Sequence, residues 1–410
     1  MGVVAEEKKE FKKTEVGWIP EDWNINKFGE LVSIRNQKVF ASYNLQGLVC
    51  IDLEHIAPAD GNLLLKRKES SSKSIKYRFY PNDVLFGRLR PYLRKYWLSD
   101  CEGICSTEIW PFIVNQNKAH SIFVYSVIQS NRFIEAASIS YGTHMPRADW
   151  DVLSALDIAL PTLKEQEAIA EALSDVDDLI RSLDALIEKK QAIKKGAMQQ
   201  LLTGKKRLPG FSGEWEVKKL GDIGKFCSGN GFPLQHQGDL GGKYPFFKVS
   251  DMNNKGNQVI FNYANNYISE TTRKKLNSKV FPSGSIVFAK IGAAIFLERK
   301  RYLIRPSCID NNLMAFVFDT NSYNVNFIYS LFLNTKIGEL ANTTALPSLS
   351  SKDISKIVFI VPGIQEQKAI AEVLSNIDNE IQALQKKRDK YKQIKQGMMQ
   401  ELLTGKTRLI

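Results

Sequence analysis

Histidine and cysteine are scarce, at four and five residues in a chain of 410. The histidines (His55, His120, His144, His236) form no HExxH pair. Among Cys50, Cys101, Cys105, Cys227 and Cys308 only one pair is close in sequence, and no second pair or His cluster completes a zinc set. Metal ligands are therefore read as none, and the thiols as reduced, in a cytoplasmic protein. No apolar run approaches the roughly 20 residues of a membrane helix. The opening MGVVAEEKKEFKK lacks the apolar centre of a secretory signal. Phosphate-binding signatures are missing as well: there is no GxxxxGKS or GxxxxGKT loop, and SGNGF at 228–232 reads as a turn. Neither a GxSxG elbow nor the Asn/Asp-Pro-Pro-aromatic tetrapeptide of amino-methyltransferases occurs. Catalytic residues are read as none. Asp and Glu are nevertheless plentiful, which leaves a metal-dependent nuclease with dispersed carboxylates as an alternative.

Positive charge is what the chain has in excess. Lys and Arg number 56 against 44 Asp and Glu, a net charge of +12. That balance favours a polyanionic partner, first of all nucleic acid, over a merely basic surface. A hydrophobic content of 43% over this length suffices for two or three domains.

The second feature is repetition. LPTLKEQEAIAEALSDVDDLI (160–180) matches VPGIQEQKAIAEVLSNIDNEI (361–381), and LLTGKKRL (201–208) matches LLTGKTRL (402–409), at a constant offset of 201 residues. Weaker echoes link GWIPEDWNINKFGELVSI (17–34) with GFSGEWEVKKLGDIGKF (210–226), DVLFGRL (83–89) with SIVFAKI (285–291), and GTHMPRADW (142–150) with TTALPSLSS (343–351). So long a period means a duplicated domain, not a solenoid. The implied organisation is a flexible tail (1–16), a globular unit (17–160), a long helix (161–208), a second globular unit (209–361) and a second long helix (362–410).

The helices carry clear signals. Thr162 with Glu165 has capping-box spacing, and Gly363 with Glu366 is its counterpart. Ile169, Leu173, Val176, Ile180 and Leu183 recur at 3,4 spacing, as do Ile370, Leu374, Ile377, Ile381 and Leu384. That period makes a coiled-coil seam. The two seams are expected to pair antiparallel with each other, although each could pack on its own globular unit instead. From Glu165 to Leu202 such a helix would be about 57 Å long. Gly204 and Gly405 suit a left-handed stop. Gly196 and Gly397 recur inside the helices and mark close approach, a kink or mere inheritance. A non-catalytic coiled-coil scaffold is thus a further alternative.

Both globular units have short β-like runs punctuated by Gly, Pro and Asn, together with short helices near 120–138 and 327–341. Each reads as α+β with a mainly antiparallel sheet. Basic residues interleave with aromatics. Candidate DNA contacts are Lys66, Arg67, Lys68, Arg88, Arg90, Arg94, Lys95, Tyr141, His144 and Arg147 in the first unit. In the second they are Arg273, Lys274, Lys275, Lys290, Arg299 and Arg301. Arg suits forked contact with guanine, and Lys suits phosphate. The run from Arg88 to Lys95 would project its arginines to one face if it were a strand.

The GWIPEDW opening, the GTHMPR loop, the two P-x-x-x-E-Q-x-A-I-A-E-x-L helix starts and the two LLTGK-x-RL ends together resemble the specificity subunit of type I restriction–modification enzymes, over nearly the whole chain. The resemblance implies two target-recognition domains, each reading half of a split duplex DNA sequence. It implies two antiparallel spacer helices that recruit two modification subunits. It also allows for two restriction subunits joining these. S-adenosylmethionine, ATP and Mg would belong to those partners, and no cofactor to this chain. One departure is that TTALPSLSS lacks the Gly and Arg of GTHMPRADW, so contacts by Tyr141, His144 or Arg147 need have no twin.

Overall fold

The computed structural model describes residues 11–40, 48–64, 74–139, 145–342 and 346–409. It divides into one compact unit of Met1–Asp184 with Lys386–Ile410 and a second of Ala185–Gln385. The long helices, Leu163–Leu201 and Ile364–Leu402, therefore each contribute to both units. Among the described residues no helix is long and apolar enough to cross a membrane.

Unit 1 opens with a hairpin, Phe11–Thr14 against Gly17–Pro20. Residues 11–14 thus form a strand where a flexible tail (1–16) was expected. Lys13 lies opposite Trp18, and the Thr14 hydroxyl donates to the Gly17 carbonyl at 2.8 Å, which closes the turn. Two four-stranded sheets follow. One orders Lys38–Phe40, Ile75–Phe79, Gly103–Ser106 and Val49–Ile51; the other orders Val32–Ile34, Ile109–Val114, Val84–Gly87 and Tyr96–Leu98. The strand Val84–Gly87 is buried on both faces. Alternation sends Val84 and Phe86 into one core and Leu85 into another. The larger core holds Trp23, Phe28, Phe86, Phe112, Phe123 and Phe133 beneath the helices Ser121–Gln129 and Asn131–Ala137.

Unit 2 repeats this plan. A five-stranded sheet runs Gly224–Ser228, Leu313–Phe318, Ile286–Ala289, Lys300–Leu303, Ile260–Phe261, beside a three-stranded sheet. Ile286 and Phe288 face the main core while Val287 faces a second one. Most strand pairs in both units are antiparallel; Gly103–Ser106 with Val49–Ile51, Phe246 with Cys308 and Ile260–Phe261 with Tyr302–Leu303 are parallel.

The duplicated helix starts and ends meet within each unit. In unit 1 the Arg408 guanidinium forks onto Glu165 (2.5 and 2.8 Å) and also holds Asp22 (2.8 and 2.9 Å), while the Trp23 indole donates to Glu165 at 3.0 Å. In unit 2 Arg207 forks onto Glu366 (2.6 Å twice) and the Trp215 indole donates to the same carboxylate at 3.1 Å. Both glutamates are buried, so each charge is matched where it is desolvated. Thr162 caps as expected, accepting from the Glu165 backbone N–H at 3.3 Å. The Glu165 carboxylate is instead taken by arginine and tryptophan, so the reciprocal half of the box does not form. Gly204 and Gly405 both adopt φ of 69°, the left-handed turn that brings the following arginine back.

Ile169 and Leu173 enter the unit 1 core together with Leu402, and Ile370 and Leu374 enter that of unit 2 with Leu201 and Leu202. The start of each seam thus packs on its own globular unit and also on the end of the other helix. Farther along, Lys395 pairs with Asp177 (2.7 Å) and Arg388 with Asp184 (3.2 Å) in unit 1; Lys194 pairs with Asp378 (2.6 Å) and Lys190 with Glu380 in unit 2. Numbering rises on one segment as it falls on the other, so the paired segments within each unit run antiparallel. Ile180, Leu183 and Ile381 are buried, whereas Val176, Ile377 and Leu384 are half-buried. A Cβ added at Gly196 or Gly397 would meet open space, which removes the close-approach reading of these glycines.

Candidate nucleic-acid interface

Two of the weak sequence echoes come together in space. In unit 1 the chain leaving the strand Val84–Gly87 is flanked by the segment that precedes the long helix. The Ala148 N–H donates to the Arg88 carbonyl (2.8 Å), Leu89 bridges Arg147, and the Arg90 N–H donates to the Pro146 carbonyl (2.8 Å). Unit 2 has the same junction after Ile286–Ala289: Leu349 N–H to Lys290 carbonyl (2.9 Å), Ile291 bridging Ser348, and Gly292 N–H to Pro347 carbonyl (2.8 Å). The backbone device is common to both, while the side chains it presents differ.

At the first junction the Arg88 guanidinium lies 4.8 Å from the centre of the Trp110 ring, and its Nε is buried with no hydrogen-bond partner among the described residues. Arg147 forks onto Glu108, with Nε to Oε2 at 3.0 Å and Nη2 to Oε1 at 2.8 Å. That hydrogen bonding raises the Arg147 pKa above its ordinary value, and both partners stay partly exposed. Arg90 is exposed and its side chain has no hydrogen bond among the described residues. The strand expected to carry these arginines ends at Gly87, and Pro91–Leu93 is a turn of 3-10 helix. Arg88 to Lys95 therefore do not alternate on one face. Proline at 91 has no N–H to donate, so the extended backbone goes no further than Arg90. Two residues of the run are drawn inward: Arg94 donates to the Gln129 carbonyl (3.2 Å) and Asn131 Oδ1 (2.6 Å), and Lys95 to the Leu53 carbonyl (2.6 Å).

At the second junction the Lys290 ammonium donates to Ser228 Oγ at 3.0 Å. Arg299 donates to Asn253 Oδ1. Arg301 is a correction to the candidate set. It is 8% exposed and donates to the carbonyls of Asn257 and of its strand neighbour Lys300, so its guanidinium is held by backbone inside the fold. Its place opposite Val287 in an interior strand pair explains this, and the RKR run at 299–301 conceals it. Arg273 forks onto Glu270, which is held down to about 2 by that hydrogen bonding, and also donates to the Ser278 carbonyl. Its neighbours Lys274 and Lys275, in the last turn of Glu270–Lys275, form no hydrogen bond or ion pair among the described residues. Lys66, Arg67, Lys68, Tyr141 and His144 lie outside the described residues.

Residue-type reasoning did not single out Glu108, which orients Arg147, or Trp110, which underlies Arg88. Glu108 is adjacent to an apolar strand and carries no motif. The signal that could have found it was the β-bridge between two echoes, which no single linear motif contains.

The sequence pattern of the type I restriction modification DNA specificity domain matches the chain twice, over residues 20–194 and 212–396. The type I restriction enzyme MjaVIII specificity subunit of Methanocaldococcus jannaschii is 26% identical across 95% of this chain and 94% of its own length. The putative MjaX specificity subunit of the same organism is 26% identical across 97% of both chains. Two solved structures share the fold. One, from work on complex assembly and conformational transition of the type I R-M system, has a TM-score of 0.58 at 20% identity and covers 95% of this chain and 99% of that one. The other, the S subunit of a type I restriction–modification system from M. genitalium, has a TM-score of 0.56 at 16% identity, covering 93% and 96%. With the matched stretches taking in most of its length, the chain belongs to the type I restriction–modification DNA specificity family and carries two copies of its domain.

Proposed function

We propose that this chain is the DNA sequence-specificity subunit of a type I restriction–modification complex, with each globular unit reading one half of a bipartite target. The observation that carries this reading is the strand-to-loop junction, built twice with the same backbone bonds and different basic side chains. A common frame with changed side chains is what two half-sites of different sequence require. The long helices, in this reading, form an antiparallel coiled coil that sets the unread spacer. Their duplicated exposed faces dock two modification subunits that methylate adenine. Two restriction subunits join those. The chain performs no chemistry itself; S-adenosylmethionine, ATP and Mg serve the partner subunits.

The test is a methylation map. The chain is co-expressed with its modification subunit in a host lacking adenine methylation, and the modified DNA is sequenced. Methyladenine within a split motif, lost when this chain is omitted, is the expected result. A soluble complex that leaves DNA unmodified, or no complex at all, would count against the reading.

A further inference from the structure

Each unit has a hairpin whose tip shows two large apolar side chains to solvent. In unit 1 the strands Val84–Gly87 and Tyr96–Leu98 are joined through Pro91–Leu93, and Tyr92 and Leu93 are 54% and 37% exposed. In unit 2 the strands Ile286–Ala289 and Lys300–Leu303 are joined through Ala293–Leu297, and Phe296 and Leu297 are 51% and 57% exposed. The tips read PYLR and IFLE, an aromatic residue followed by leucine in both. The second hairpin is two residues longer at this point, which hides the match at constant offset.

Both tips close in the same strained way. Arg94 and Glu298, each directly after the leucine, have φ of 52°. Residues other than Gly, Asn and Asp adopt this left-handed conformation at a cost. Each of these side chains clamps its tip to the body of the unit. Arg94 holds the Gln129 carbonyl and Asn131 at the junction of two helices. Glu298 accepts from the Gly338 N–H at 2.7 Å and pairs with the buried Lys300, which also donates to the Thr335 carbonyl at 2.8 Å. Opposite charges do the same work in the two units. The result is a rigid apolar edge held out in water at the rim of the basic junction, next to Arg90 in one unit and between Lys290 and Arg299 in the other.

We propose that Tyr92–Leu93 and Phe296–Leu297 are a pair of wedges that press into duplex DNA, one at each half-site, and partly unstack a base step there. The inference rests on the reading of the chain as a DNA-specificity subunit and adds to it how the sequence is felt. Duplex DNA fits this surface because it offers phosphates to the flanking cations and apolar base faces to the ring and leucine. Prior clamping lowers the ordering cost of insertion. Because unstacking energy depends on the base step, a wedge contributes selectivity without any hydrogen bond to a base edge.

The experiment uses the complex with the modification subunit and a duplex carrying the mapped motif, with 2-aminopurine placed singly within and beside each half-site. The wild-type complex should raise fluorescence at a position in each half-site distinct from the methylated adenine. Tyr92→Ala with Leu93→Ala should abolish the rise in one half-site only, and Phe296→Ala with Leu297→Ala that in the other. Each should bind about tenfold more weakly. Tyr92→Phe and Phe296→Tyr should retain both signals. Wild-type-like binding by the alanine pairs, or no rise in the wild type outside the methylated adenine, would overturn the wedge. So would loss of the modification subunit from the alanine variants, which would make the tips a protein-docking face. If the wild-type complex methylates no split motif, it is the underlying reading that fails.

Discussion

The two units keep the same frame and present different faces. Trp23, Glu165 and Arg408 in one correspond to Trp215, Glu366 and Arg207 in the other, and the core positions Leu173 and Leu374 are equally enclosed. At the basic junction, Arg147 on Glu108 stands where the second unit has Ser348, and Arg88 over Trp110 stands where it has Lys290. At the junction the backbone bonds are alike, so there the divergence lies in side chains that leave the local frame undisturbed. A duplicated protein that must read two sequences can vary one set of residues without risking the other.

That separation can be broken most severely in the cores. Leu173→Ala and Leu374→Ala should each cost about 3 kcal/mol, as buried leucines do, read by thermal unfolding, with the methylated motif unchanged where the complex survives. A changed motif would mean that frame and face are coupled. The Trp–Glu–Arg lock comes next. Glu165→Ala leaves the fully buried Trp23 indole N–H without its acceptor and should cost about 2 kcal/mol. Glu366→Ala should cost less, because Trp215 and Arg207 are only partly buried and can reach water. Equal losses would show that the two locks differ less than their burial suggests.

Arg147→Ser, which copies the second unit into the first, should change stability by less than about 1 kcal/mol, since the pair with Glu108 is partly exposed. Its effect should fall on DNA binding, as a selective loss at one half-site in a competition assay. A similarly small effect is expected between the helix segments. A double-mutant cycle on Asp177 and Lys395 should give a coupling of about 1 kcal/mol, and one on Asp378 and Lys194 about half that, because the first pair is better shielded from water.

Much of the frame was legible because duplication prints it twice. The helix starts, the glycine stops and the short strands at 109–114 and 313–318 could all be read from local pattern. The lock could not, because Arg408 and Glu165 lie 243 residues apart and neither belongs to a motif that names the other. The faces were the least legible. Arg90 and Arg301 are alike as letters in basic runs, yet one reaches solvent and the other is enclosed by carbonyls. Register within a hairpin decides between those outcomes, and register depends on where a strand stops.

The most direct test of the separation is to replace residues 209–361 with a second copy of residues 17–160, keeping both long helices, and to map methylation by the complex. If the units read independently on a common frame, the motif should contain the first unit's half-site twice and lose the other half entirely. Retention of the original asymmetric motif, or methylation at a sequence containing neither half-site, would contradict the account.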